Sequence, residues 1–171
     1  GKAMTTQDNE PTRIVIFGNS GSGKSTLAKH LANGLKIAHL DLDTLAWLPT
    51  DVPERAPVAD SMLSINAFTR TQKNWIIEGC YSDLLSELVE QATELIYMDL
   101  PLEACVNNAR SRPWESHKYA SKEAQDANLP MLIDWIRQYA ERSDTFSQAA
   151  HNTLFEAYKG KKQRIVENVN Y

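Results

Sequence analysis

A chain of 171 residues can bury one hydrophobic core and is too short for two comfortable domains. Its 42% hydrophobic and 23% charged residues suit a folded globular protein, and its net charge of −4 speaks against a general nucleic-acid surface, which shows as a basic excess. No apolar run is long enough to span a membrane and no secretory leader is readable, so a cytoplasmic protein is expected.

In chain order, "GKAMTTQDNEPT" (residues 1–12) is polar and aperiodic and reads as a disordered tail, with the residues before Met4 a cloning scar; residues 13–171 read as a single domain. "RIVIF" (residues 13–17) is a short β-branched run, hence a buried strand, and it ends in "GNSGSGKST". Leu27, Leu31 and Leu35 then recur at helical spacing beside Ala28 and Ala32, with Gly34 expected to end the helix. "KIAHLDLD" reads as a second strand running into Asp41 and Asp43. Pro49, Pro53 and Pro57 punctuate a loop before a helix over about residues 58–72, so that roughly residues 44–73 form an excursion from the sheet.

"WIIEG" (residues 75–79) is the third strand, and Ser82 is placed to cap a helix carrying Leu84, Leu85, Leu88 and Val89. "ELIYMDL" is the fourth strand, and "LEACVNNAR" the helix after it. Residues 111–128 hold no apolar period and read as an exposed excursion. Leu129, Leu132, Ile133, Ile136 and Tyr139 restore a helix face; Phe146, Ala150, Leu154 and Tyr158 do so again, and "QRIVEN" is the fifth strand. Strands alternating with helices predict an α/β fold, a mainly parallel sheet covered on both faces through right-handed crossovers. Cys80 and Cys105 lack metal-site spacing and read as reduced thiols; the four histidines lack ligand spacing as well.

Three glycines, three serines and a lysine within nine residues cannot build a core. Gly18-x4-Gly23-Lys24-Ser25 is the G-x-x-x-x-G-K-[ST] phosphate-binding pattern, and it stands between a predicted strand and a predicted helix, as its mechanism requires. Glycines let backbone N–H groups turn inward around phosphate oxygens, and the helix N-terminus adds its positive end. Gly18, Asn19, Ser20, Gly21, Ser22, Gly23, Lys24, Ser25 and Thr26 are therefore expected to hold a nucleoside triphosphate, with Lys24 at the β- and γ-phosphates and the Ser25 hydroxyl on Mg2+.

With "HLDLDTLAW", "WIIEGCY", "MDLPLEAC", "ARSRPW" and "ERSD" following in this order, the chain resembles the small adenylate-kinase-like P-loop kinases. It is similar in layout to shikimate kinase and closest to the FlaR-type group, also called DNA topology modulation proteins. The resemblance spans most of the chain from Arg13 to Ile165. It implies a five-stranded parallel sheet of order 2-3-1-4-5, an acceptor-binding excursion after strand 2 and a mobile lid at about residues 111–128. The implied activity is Mg2+-ATP-dependent phosphoryl transfer to a small molecule, either a nucleotide or a hydroxyl metabolite. The alternative, carried by the group's label, is a nucleotide-dependent regulator of DNA topology.

Spacing alone leaves the metal-side carboxylate open: Glu78 and Asp99 each end an apolar run, and Glu78-Gly79 is preferred because it stands where adenylate kinases carry Asp-Gly. Arg110 and Arg112 open the lid and Arg137 and Arg142 close it. By resemblance Arg110 meets the adenine or its phosphates, and Arg112 and Arg142 the γ-phosphate, while one helical turn can aim Arg137 at water. Lys161, just before strand 5, is either beside the adenine or a plain surface lysine. On the acceptor side, Asp41 and Asp43 resemble the acidic pair of shikimate kinase, with Asp43 as base, and Gly79 lines the acceptor. Arg55, then Arg70, are the candidates to pair with an anionic acceptor. Cys80-Tyr81-Ser82 replaces the Phe-Pro-Arg that grips the monophosphate in adenylate kinases, which points to a hydroxyl-bearing acceptor ahead of AMP.

Overall fold

The computed structural model describes residues 10–171, so most of the tail expected over residues 1–12 lies outside the described residues. Five parallel strands, β1 (Arg13–Gly18), β2 (Ala38–Asp41), β3 (Trp75–Gly79), β4 (Glu94–Met98) and β5 (Lys161–Ile165), form one sheet in the order β2-β3-β1-β4-β5. Six helices surround them: α1 (Lys24–Leu35), α2 (Val58–Thr71), α3 (Ser82–Leu85), α4 (Leu102–Arg110), α5 (Lys122–Arg137) and α6 (Gln148–Ala157). A parallel sheet needs helical crossovers, and these cover both faces, which is why β1 and β3 are apolar at nearly every position.

The two-residue strand period divides the core. Val15, Phe17, Trp75, Ile77, Leu95 and Tyr97 pack on one face against Ile65 of α2, Leu84 and Leu85 of α3, and Leu154 and Phe155 of α6. Ile14, Ile16, Ile76, Ile96 and Met98 pack on the other against Leu27 and Ala28 of α1, Val106 of α4 and Ile136 of α5. On this second face β2 and β3 carry His39, Asp41 and Glu78 toward the carboxyl edge, and Asp41 stands in register with Glu78. A polar corner therefore opens beside the N-terminus of α1.

Several ends differ from expectation. Gly34 lies inside the last turn of α1; the helix is closed by Lys36, whose φ of 58° is left-handed, and by the Ile37 N–H donating to the Ala32 carbonyl at 3.1 Å. Ser82 does not cap α3, because its hydroxyl donates to the Thr145 carbonyl at 2.6 Å. The helix there is only four residues long, and the chain continues in turns past Leu88. The helix carrying Leu129 starts upstream at Lys122, capped by Ser121 Oγ accepting from the Ala124 N–H at 3.0 Å. Its first two turns are polar and leave no apolar stripe to read. The fifth strand begins two residues before "QRIVEN".

Candidate active site

The loop after β1 is shaped by glycine. Gly21 (φ 76°) and Gly23 (φ 88°) are left-handed, and a Cβ on Gly21 would strike the Cys105 carbonyl of α4. Gly23 is the N-cap of α1 and offers no side-chain cap, so the first N–H groups of the helix are left for a ligand. Ser22 lines the cleft, and its hydroxyl is buried with no partner among the described residues. Lys24 Nζ donates to the Asn19 carbonyl at 2.7 Å, folded back over the loop it would serve. Asn108 Nδ2 braces the Gly21 carbonyl from α4 at 2.8 Å, and Asn19 Nδ2 reaches the Ile136 carbonyl of α5 at 3.2 Å.

Ser25 Oγ donates to Glu78 Oε1 at 3.0 Å, and His39 Nε2 lies 2.9 Å from Glu78 Oε2. The Glu78 side chain is 2% exposed, so this carboxylate is held by the two neighbours it faces. Asp99, by contrast, is bound by Arg164 at 2.6 Å, and that guanidinium also lies over Tyr97. Among the described residues no group of three or more His, Cys, Asp or Glu forms a metal cage. A hydroxyl and one carboxylate are nonetheless the protein donors Mg2+ uses when phosphate oxygens and water complete its shell, so the residues at Ser25 and Glu78 fit that ion.

Across the cleft, Asp43 receives hydrogen bonds from the Tyr81 hydroxyl and, at 2.8 Å, from Lys118 Nζ. Trp47 Nε1 in turn donates to the Tyr81 oxygen at 2.8 Å. Burial alone would raise the Asp43 pKa, but the Lys118 charge and the two hydrogen bonds outweigh it and hold the carboxyl below its ordinary value. Asp41 is pushed up by burial and by the charges of Glu78 and Asp43. Loop and acidic corner face one cavity of about 520 Å3, lined among others by Lys24, Ser25, Asp43, Glu78, Arg112 and Lys118. A larger, mostly apolar cavity of about 750 Å3 between α3 and α6 holds none of these groups.

The remaining expected residues divide. Arg112 lines the cleft and pairs with Glu115 at 3.0 Å; Arg110 is exposed at the end of α4, beside a separate crevice. Arg142 stacks over Trp135 at 3.3 Å and pairs with Asp144, and Arg137 pairs with Glu103 at 2.6 Å. Neither Arg142 nor Arg137 lines the cavity. Arg55 is turned to Asp83 at 3.2 Å and lies over the rings of Tyr81 and Phe146, while Arg70 is exposed on the last turn of α2. Gly79 is buried beneath Leu42, which a Cβ would touch at 2.9 Å. Lys161 is not brought to the loop: it opens β5 at the amino edge of the sheet, 3.5 Å from Glu94. The segment that borders the loop follows β5, where Asn168, Val169 and Tyr171 line the cleft.

Sequence reasoning missed Tyr81, His39 and Lys118. His39 was readable, since it shares a strand face with Asp41 and points to the side that Glu78 must also face. Lys118 was not, because its partner Asp43 is 75 residues away.

The profile of the AAA domain family AAA_18 matches residues 14–129, more than half of the chain. The chain belongs to that family. A 31-residue stretch of this chain is 58% identical to shikimate kinase of Enterococcus faecalis, and that match spans 18% of the length of each protein. Among solved structures, TT1252 of Thermus thermophilus aligns over 94% of this chain and 90% of its own at 17% identity and a TM-score of 0.52, which shows a shared fold. Shikimate kinase of Acinetobacter baumannii in complex with shikimate aligns over 84% and 91% at 19% identity and a TM-score of 0.48. The family match and the shared fold are those of an AAA_18 P-loop domain. No helix of the described residues is long and apolar enough to cross a membrane.

Proposed function

We propose that the protein is a Mg2+-ATP-dependent phosphotransferase acting on a small-molecule hydroxyl acceptor. The observation that carries this reading is that a complete phosphate-binding loop and the ionised, hydrogen-bonded Asp43 face one another across a single cavity. A nucleotide-gated regulator has no need of an acceptor carboxylate opposite Lys24.

In this reading the loop N–H groups and Lys24 hold the ATP phosphates, and Ser25 with Glu78 hold Mg2+, which when bound neutralises charge on the transferring phosphoryl group. Asp43, positioned by Tyr81, accepts the hydrogen bond of the acceptor hydroxyl and aims its oxygen at the γ-phosphorus. The acceptor oxygen bonds to that phosphorus as the bond to the β–γ bridging oxygen breaks. ADP and the phosphorylated acceptor result, and the hydroxyl proton passes to Asp43. Arg112, once it leaves Glu115, is the cleft-lining arginine that can meet charge on the γ-phosphoryl group. Residues 111–128 act as the lid that excludes water. Arg142, held by Trp135 and Asp144, braces the end of the lid helix.

The test is ADP release measured over a panel of hydroxyl compounds, in the native protein and in Asp43→Asn. Release should rise with one acceptor class, and Asp43→Asn should lower kcat by roughly 10²–10⁴-fold with the KM for ATP nearly unchanged. ATP turnover indifferent to every acceptor would contradict the reading.

A further inference from the structure

The acceptor end of the cleft already holds an ammonium group, and it belongs to the protein. Lys118 Nζ stands 2.8 Å from Asp43 Oδ2, 3.7 Å from Glu115 Oε2 and 3.8 Å from Asp41 Oδ2. Burial disfavours the Lys118 charge, but the surrounding carboxylates more than offset this and raise its pKa. Asp41 and Asp43 belong to the end of β2 and the turn after it, whereas Lys118 and Glu115 belong to the segment between α4 and α5. The lysine therefore fills the acceptor corner only while that segment lies against it.

The nearby arginines that could greet an anion are committed elsewhere. Arg55 is bound by Asp83 and flanked by aromatic rings, and Arg112 is bound by Glu115. Lys24 is the group the ATP phosphates require. Three carboxylates, Asp41, Asp43 and Glu115, surround the Lys118 ammonium, and Glu115 is shared with Arg112, so with Lys118 gone the end of β2 is left acidic at Asp41 and Asp43. An acceptor bearing a carboxylate or phosphate would add a like charge at close range, at a large desolvation and repulsion cost. A neutral acceptor that displaced Lys118 would leave Asp41 and Asp43 without a facing ammonium.

Building on the phosphotransferase reading, we propose that the acceptor is a hydroxyl compound that also carries an ammonium group, an amino alcohol or amino sugar, and that its ammonium takes the place of Lys118 Nζ beside Asp41 and Asp43. Lys118 is then an internal competitor. Its departure with the lid segment frees one Asp43 oxygen for the acceptor hydroxyl, the group that receives the γ-phosphoryl while ADP leaves. Apparent affinity for the acceptor is reduced by the fraction of molecules in which the lysine is seated.

The experiment measures ADP release by the full chain with Mg2+-ATP and matched triplets of acceptors: glucosamine, glucose and gluconate; ethanolamine, ethylene glycol and glycolate. The amine member of a triplet should exceed its neutral partner in kcat/KM by about tenfold, with the carboxylate member last. Lys118→Met should lower the KM for the amine about tenfold, and Asp41→Asn should raise the amine KM more than that of the neutral partner. Lys118→Gln serves as the second variant, and circular dichroism of each variant confirms that it is folded. A carboxylate or nucleotide acceptor preferred over amines, or an amine KM indifferent to both Lys118 variants, would overturn the ammonium assignment while leaving phosphoryl transfer intact. Turnover unmoved by acceptors of all three charge types would overturn both.

Discussion

Tyr81 joins the acceptor excursion to the sheet through one hydroxyl, donating to Asp43 and accepting from Trp47 Nε1. It stands two residues after Gly79, in the stretch where the adenylate-kinase pattern would carry its arginine, and its hydroxyl orients the Asp43 carboxylate. Tyr81→Phe removes a donor from Asp43 and leaves the Trp47 N–H to water. The expected outcome is a loss of about 1 kcal/mol in urea unfolding, with a several-fold higher acceptor KM. Glu78 is a second residue whose role can be isolated. Glu78→Gln keeps the shape beside Ser25 and removes the charge, and it should raise the Mg2+ concentration for half-maximal turnover by about 10–100-fold. An unchanged Mg2+ dependence would return attention to Asp99, although Arg164 already neutralises that carboxylate. Lys24 and Ser25 were legible because a loop motif is a local pattern, whereas a strand end marks Glu78 and Asp99 alike and only the adenylate-kinase resemblance preferred Glu78. The partners of Asp43 were not legible, since the residues that hold it come from distant parts of the chain.

At the scale of elements, the strands were readable because burial on both sides forces unbroken apolar runs. The helix ends were not, because caps are decided by contacts that sequence spacing does not show. Ser82 looked like a cap and bonds Thr145 instead. Gly34 looked like a terminator, but the left-handed residue is Lys36. Two opposite substitutions test this. A Cβ at Gly34 meets nothing within 4 Å, so Gly34→Ala should stabilise the protein by about 0.5–1 kcal/mol. Lys36→Gly should do likewise by about 1 kcal/mol, because glycine adopts the left-handed conformation without cost. A loss of stability in either variant, read from urea midpoints, would contradict the assigned end of α1. At the far end of the chain, Lys162 Nζ donates to the Phe155 and Tyr158 carbonyls at 2.8 and 2.9 Å, tying β5 to the last turn of α6.

Across the whole molecule, the parallel sheet followed from alternating strands and helices and its order from the resemblance alone, whereas the polar network that couples its layers followed from neither. His151 of α6 lies 2.8 Å from the Cys80 carbonyl through Nε2, and 2.6 Å from the Tyr139 hydroxyl through Nδ1. A carbonyl only accepts, so Nε2 carries the proton, and in the neutral ring that burial favours Nδ1 accepts from Tyr139. Burial lowers the His151 pKa to about 4. The unfolded chain therefore binds more protons than the folded one between about pH 6.5 and 4, and stability falls as pH drops through that window. The contribution reaches about 3 kcal/mol at its lower end. His151→Gln should flatten this slope relative to the native protein in urea unfolding at pH 7.5, 6 and 5, and equal slopes would contradict the neutral ring. The same molecule-wide geometry brings the ends of β1, β2 and β3 to one cleft, and the account of that cleft rests on transfer rather than hydrolysis. The most direct measurement is the fate of the label from [γ-32P]ATP. With an effective acceptor present, the label should appear on the acceptor, in equal amount to the ADP formed, and Lys24→Ala should abolish its appearance while the protein stays folded. Label released only as inorganic phosphate, or transfer that survives in folded Lys24→Ala, would contradict the account.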